Sequence, residues 1–489
     1  MRSVRVIARV LLLLLPGMLS PVVGCGSDPN SKAIEYCIPL EQGFEVPVAR
    51  VLLGYAAYSA SDRPALSETK RFLVSSETPI TVVDWGALES TGEGTALALV
   101  KISFAVLDAT SPEVVGRAAF WDVSALALVM PTLGPAGGTD SFDGILGGDL
   151  LRKYAVRLVY DGDENCALPW LGSSFAPPSI KFSEALPDSD GELSSDGFGV
   201  IDFDLAGGGV ASVNDTEHEF SATRVAVGVC VEPDPYEPEL LSFECADDKE
   251  TRLSELRAAV PESGVDAFGL IATGTRPVVL SESFGNHLAG MMQAMDPAWP
   301  ASGVSSTTLH LPEGPLVAQR FELSRLALVG NRRSDMGPCR ELALRRRVDL
   351  AVRFCQDAAV KDTLGDRAAA VLELDVTRAA SGLATTLSAY QIADTSALLT
   401  GLRAETSSEI PAVDLLIGAE FLRHFEVWLD YPDTRLVMRC LNYVEPRVTD
   451  KRGGTSCLHA SAGETCCADD EECRCEGSAC CQYYRWAGP

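Results

Sequence analysis

A twelve-residue segment that occurs twice constrains this chain more than any other feature. Asp143 to Tyr154 reads DGILGGDLLRKY, and Asp414 to Phe425 reads DLLIGAEFLRHF, at a constant offset of 271. Each copy runs into a strand-like stretch, AVRLVY and EVWLDY, and the pairs Val156/Val427, Leu158/Leu429 and Tyr160/Tyr431 keep the same offset. Two apolar residues and a glycine, then a short helical stretch, then a strand, repeated in that order, imply two homologous lobes. Gly147 and Gly418 mark the same structural position in each.

The pattern of two apolar residues and Gly, then Asp or Glu, an apolar pair and Arg, then a strand ending in Tyr, resembles the end of a lobe of the aspartic peptidases of pepsin and retropepsin type. The resemblance implies a mainly β, bilobal aspartic-peptidase-like double β-barrel with short helices. It also implies, upstream in each lobe, a loop carrying Asp-Thr/Ser-Gly. In the second lobe that loop is Phe268 to Ser281, FGLIATGTRPVVLS, in which Ala272 stands at the aspartate position while Thr273 and Gly274 are kept. In the first lobe it is Arg71 to Asp84, RFLVSSETPITVVD, with Ser75, Ser76 and Glu77 in the aspartate, hydroxyl and glycine positions. Both catalytic carboxylates of the resemblance are therefore substituted.

In that chemistry two carboxyls a few ångströms apart cannot both ionise, so one keeps a proton while the other deprotonates a shared water. Neither Ser75 nor Ala272 can do either job near neutral pH. Glu77 in place of glycine is also expected to resist the close approach and unusual dihedrals that glycine permits. Two other aspartates compete for a role. Asp84-Trp85-Gly86-Ala87 resembles the family loop with Trp for Thr, and Asp84 is the candidate for a surviving single carboxylate. The alignment of LVSSETPITVV with LIATGTRPVVL instead sets Asp84 opposite Ser281. Asp394-Thr395-Ser396 reads literally as a family triplet, but it lies 24 residues before Gly418 and is matched by Asp122-Val123-Ser124, 25 residues before Gly147. This is read as a repeated strand-end or turn feature.

The N-terminus points to export. Arg2, Arg5 and Arg9 precede the apolar run VLLLLLPGMLSPVV, and Val22-Val23-Gly24-Cys25 resembles the lipobox of a bacterial lipoprotein precursor. Cleavage there would leave Cys25 lipidated, anchoring the chain to the cell envelope; Gly26, uncharged, favours the outer membrane. Removing residues 1–24 takes away three arginines and no acids, moving the net charge from −28 to −31. So acidic a surface argues against nucleic acid as a partner. The expected partners are the membrane, through the lipid, and a peptide or protein segment in the cleft between the lobes.

Of 15 cysteines, 14 remain besides Cys25, an even number suited to an oxidising compartment. Cys37 and Cys166 bracket the first lobe, Cys230/Cys245 and Cys339/Cys355 form local pairs in the second, and Cys440 follows its last strand. Cys457, Cys466, Cys467, Cys473, Cys475, Cys480 and Cys481 crowd the tail. Disulfides are favoured there over zinc, since paired C-x2-C knuckles are missing; no metal or cofactor is expected. The domain reading is signal peptide 1–24, tether 25–36, first lobe 37–166, linker 167–197, second lobe 198–445 and disulfide-rich tail 446–489. The second lobe carries an insertion around 335–362: the loop-to-glycine distance is 72 residues from Ser75 to Gly147 but 146 from Ala272 to Gly418. The most direct reading is a catalytically degenerate homologue that binds peptide; the alternatives are an unconventional endopeptidase using Asp84 and a purely structural or assembly module.

Overall fold

The two repeated strands lie against each other. In the computed structural model Ala155–Val159 runs antiparallel to Phe425–Asp430, with Leu158 opposite Val427 and Val156 opposite Leu429. Residues equivalent under the repeat thus meet as reciprocal pairs, and an approximate two-fold axis passes between them. The structure describes residues 36–40, 46–57, 68–84, 98–106, 119–128, 142–160, 178–183, 198–213, 216–232, 264–295, 305–311, 314–323, 325–330, 337–340, 342, 371–375, 387–396, 398–399, 402, 412–440, 447–449, 455–457 and 480–484. The signal peptide, Cys25 and the tether up to residue 35 lie outside them, as do Cys166, Cys245, Cys355, Cys466, Cys467, Cys473 and Cys475, while Tyr36, expected to end the tether, opens a strand.

Around that seam a six-stranded sheet runs in the order Tyr36–Pro39, Ser179–Ser183, Ala155–Val159, Phe425–Asp430, Arg435–Cys440, Phe198–Asp202. Ser179–Ser183 falls inside the stretch expected to be linker. Its sequence SIKFS alternates, and Ile180 and Phe182 are buried in the main core. A five-residue alternation embedded among Pro, Ser and Gly is enough for a strand when two neighbours supply the ladder. Both faces of the central strands are covered. Phe425, Val427 and Leu429 join the main core, while Trp428 packs with Ala155 and Val437 on the other side. On that second face Arg157 forms a buried ion pair with Glu426 across the seam and stacks over the Trp428 ring at 5.4 Å. A pair withdrawn from water like this adds little net stability but makes mispairing of the seam costly.

Each lobe then builds its own β structure. The first closes as a barrel, in the order Val48–Ala57, Glu68–Val74, Gly144–Leu146, Val82–Asp84, Ala119–Leu128, Ala98–Val106. The second is an 11-stranded sheet in which the equivalent strands Val265–Ile271, Leu415–Ile417 and Val278–Ser281 are neighbours. The architecture is mainly β with few short helices: α1 (Gly148–Leu151) and α3 (Ala419–Leu422) after the repeated glycines, and the longer α2 (Glu282–Met295). In the tail Arg447–Thr449 pairs with Thr455–Cys457, and Cys480–Tyr484 adds to the second lobe's sheet beside Val371–Asp375.

The disulfide pairing differs from the local one expected. Cys230 bonds Cys339, 109 residues away, rather than Cys245. Cys230 sits on Arg224–Glu232 opposite Asp266, whose Oδ1 accepts the Cys339 amide at 2.7 Å, so the sheet brings together what the sequence separates. Gly264 is required beside the bridge because a Cβ there would crowd both sulfurs. Replacing Cys230 and Cys339 by serine is expected to cost about 2–5 kcal/mol in chemical denaturation, and digestion without reductant should yield the Cys230–Cys339 cross-linked peptide.

Candidate functional site

Both lobes thread the same loop. In the first, Glu68–Val74 lies parallel to Gly144–Leu146, and Val82–Asp84 returns antiparallel on the other side of Gly144–Leu146. In the second, Val265–Ile271, Leu415–Ile417 and Val278–Ser281 repeat the arrangement. The hydrogen bonds repeat with it. Ser75 N donates to Leu146 O and Ala272 N to Ile417 O, each at 3.0 Å; Gly148 N donates to Thr78 O and Ala419 N to Thr275 O, each at 2.8 Å. At the far end Asp143 Oδ2 accepts Arg71 N and Asp414 Oδ2 accepts Phe268 N, which explains why the repeat opens on aspartate in both copies. The repeated glycines let the loops cross: a Cβ on Gly147 would run into the Ile80 carbonyl, and one on Gly418 into the Pro277 carbonyl.

These loops meet head to head. Ser76 Oγ donates to Ile271 O at 2.6 Å and accepts Thr273 N at 3.2 Å. Reciprocally, Thr273 Oγ1 donates to Val74 O and accepts Ser76 N, both at 3.0 Å. Both side chains are fully buried. Each hydroxyl uses its donor and an acceptor on the backbone of the opposite loop, so four groups that would otherwise be buried unpaired are satisfied by two side chains.

Flanking this crossing are the two aspartate positions, and they differ. Ser75 Oγ lies 2.6 Å from Thr78 Oγ1 and accepts Thr78 N at 3.1 Å, so the first lobe's position is filled by its own side chain. Ala272 offers only a methyl group, packed in a small apolar cluster. The equivalent donors of the second loop turn instead to the other lobe: Thr275 Oγ1 donates to Glu77 Oε1 at 3.0 Å and Gly274 N to Glu77 Oε2 at 3.2 Å. Glu77 does not take the left-handed backbone that its glycine position suggested, since among the described residues Thr434 is the non-glycine with positive φ. The retained glycine, Gly274, supplies the room, for a Cβ there would stand 2.9 Å from both Glu77 Oε1 and Ser75 Cβ.

Burial pushes the Glu77 carboxyl above its ordinary value, against hydrogen bonds from its own amide, Gly274, Thr275 and Ser75 that favour the charged form. Arg224 Nε donates to the Glu77 carbonyl at 2.6 Å. Tyr160 and Tyr431, the pair that closes the repeat, are both pushed well above the usual tyrosine range, first by burial and then by the negative charge of Glu77. Among the described residues the junction thus holds one carboxyl and a set of hydroxyls. One carboxyl cannot both keep a proton and take one from water.

The competing aspartates lie elsewhere. Asp84 ends its strand, with its amide on Asp143 O as the Ser281 amide is on Asp414 O, so the alignment of Asp84 with Ser281 holds. That places it level with Asp143, three residues along the strand from the Leu146 level of the loops, about 10 Å at the strand rise. Asp394 caps α2, accepting Ser283 N at 3.1 Å. Asp122, by contrast, is inside the strand Ala119–Leu128. Because Val82 pairs with Leu126 and Val279 with Tyr390, the positions of Asp122 and Asp394 fall eight residues apart in the two lobes, and the two triplets are not one repeated feature. Glu77 as the carboxyl of the junction was not anticipated. The available signal was its coincidence, one loop across, with the alanine at 272.

No family model matches the chain, and no curated protein matches it. Among solved structures it is similar to the crystal structure of Basic 7S globulin from soybean, at 10% identity and a TM-score of 0.40, over 83% of this chain and 96% of that one.

Two outcomes follow from the geometry. Ser76→Ala or Thr273→Val should each cost about 1–3 kcal/mol by leaving buried backbone groups unpaired, and the double variant should cost less than their sum in a denaturation cycle. Glu77, whose folded value is raised above 4.5, binds its proton more tightly when folded. Its contribution to stability is therefore complete below about pH 4.5 and lost as pH rises through the folded value. Glu77→Gln should flatten that part of the stability–pH curve.

Proposed function

We propose that this chain is a cell-envelope lipoprotein, anchored through Cys25, whose fold is a catalytically degenerate form of the aspartic-peptidase architecture and whose interlobe cleft holds a peptide or protein segment without cutting it. The observation that carries the reading is the junction itself, where two loops of the kind that present a carboxylate pair present Ser75, Ala272 and a single carboxyl, Glu77. Hydrolysis of an amide by this route needs a base for the water and an acid for the carbonyl oxygen at the same moment. A single carboxyl can act as the base or as the acid, but not as both in the same step. Binding asks less of the site: a groove between two rigid β lobes with a few fixed polar groups is enough. Asp84, the other carboxylate considered, stands at the far end of its strand and so does not complete a pair.

Mature protein without the lipid, incubated with a diverse peptide mixture from acidic to mildly alkaline pH and read by mass spectrometry, is expected to retain peptides intact. Cleavage abolished by Asp84→Asn would restore an enzyme and overturn this reading; absence of both cleavage and retention would leave a structural module.

A further inference from the structure

At the end of the second lobe away from the junction lies a cavity of about 690 Å³. Asp414 lines it, three residues before Ile417, whose carbonyl accepts the Ala272 amide of the loop; the cavity is thus about 10 Å along the strand from the junction and separate from the cleft. Helix α2 forms one wall. Phe284, His287 and Met291 recur on it at intervals of three and four, which sets them on one face, and all three line the cavity. Another wall is the segment 337–340, and it is fixed twice: Cys339 is bonded to Cys230, and its amide donates to Asp266 Oδ1 at 2.7 Å. Gly337 packs so closely on Asp266 that a Cβ there would stand 1.6 Å from Oδ2. The cavity is therefore pre-formed, and its size falls in the range of small-molecule pockets. It is a feature of this lobe's own sequence, since Thr69 stands 197 residues before Asp266, the spacing that relates Ser76 to Thr273.

We infer that this cavity is a binding site for a zwitterion of about the size of a dipeptide, whose carboxylate meets Arg340, whose ammonium meets Asp266, and whose apolar side chains rest on Phe284 and Met291. The inference does not depend on peptide binding in the cleft. Arg340 is exposed where it lines the cavity, and among the described residues its guanidinium has neither an ion pair nor a hydrogen bond, so its donors are left for a ligand. Asp266 and Asp414 bring two carboxylates to the same space, each with one oxygen on a backbone amide, Cys339 N and Phe268 N. A purely anionic ligand would face both carboxylates and a chain of net charge −28, and a purely cationic one would face Arg340. A ligand that carries both charges meets each with its opposite. Between them the buried Phe284 and the half-buried, adaptable Met291 supply an apolar surface.

The dipeptide Leu-Phe, titrated at neutral pH into the mature chain with labelled methionine methyl groups, tests this. It should shift the Met291 methyl resonance, identified by its loss in Met291→Leu, and the shift should saturate. N-acetyl-Leu-Phe, which lacks the ammonium, and Leu-Phe amide, which lacks the carboxylate, should each bind about tenfold more weakly, the scale of one charge-assisted hydrogen bond. Arg340→Gln should weaken Leu-Phe to the level of its amide and leave the amide unchanged. Asp266→Asn, which keeps an acceptor for the Cys339 amide, should do the same with respect to the N-acetyl form. Arg340 is exposed, so its replacement keeps the fold and decides the matter even if Asp266→Asn loosens the wall. A Met291 resonance unmoved by all three compounds rejects the site. Equal affinity for the three forms, or Leu-Phe binding unchanged by Arg340→Gln, overturns the assignment of a zwitterion. Peptide held in the cleft is insensitive to Arg340→Gln, so the two readings fail separately.

Discussion

The crossing of Ser76 and Thr273 is the constraint on which the rest of the structure depends. Two buried hydroxyls each bridge an amide and a carbonyl of the opposite loop, and through them the two lobes fix each other's loop tips. The backbone carbonyls of Val74 and Ile271, at the ends of inner strands, would otherwise be buried without donors. Everything that flanks the crossing inherits its register: Ser75 and Ala272 on one side, Glu77 and Gly274 on the other. The seam of the six-stranded sheet below, with Leu158 against Val427 and the Arg157–Glu426 pair, holds the same two-fold relation through the chain's other repeat.

Within that symmetric frame the chemistry is asymmetric. The scaffold keeps the glycines at 147 and 418, the strand pairings and the hydrogen bonds from the helices α1 and α3 back to the loops. The acid positions do not follow the symmetry, since one holds a hydroxyl and the other a methyl, with a carboxyl arriving from across the axis. The two requirements separate because the frame is set by backbone groups and the hydroxyls at 76 and 273, whereas acid–base work depends on the residues at 75 and 272. The residues at 75 and 272 can therefore vary without disturbing the frame.

How much of this was legible in the sequence depends on the range of the interaction. The repeat, the two lobes and the positions of Ser75, Ala272, Gly147 and Gly418 followed from local patterns of apolar residues and glycine, and the loops lie where those patterns put them. The strand Ser179–Ser183 was missed because its partners come from Tyr36–Pro39 and Ala155–Val159, and nothing within five residues announces a ladder. The Cys230–Cys339 bridge was missed for the same reason, its partners meeting only after Val265–Ile271 has paired with Arg224–Glu232. Asp122 and Asp394 misled because a short identical string was taken as equivalent when the pairings of Val82 and Val279 set a different register. Glu77 was read as an intruder at a glycine position. What the sequence could not show is that its side chain is the right length to reach the Gly274 amide and the Thr275 hydroxyl of the other lobe's loop.

The most direct test of the account is an experimental structure of the junction at acidic pH, at a resolution that separates the carboxyl oxygens of Glu77. The account predicts those oxygens on Gly274 N and Thr275 Oγ1, with Ser76 and Thr273 crossed as described. A Glu77 side chain turned away from the second loop, leaving Thr275 Oγ1 to water or to its own lobe, would contradict it.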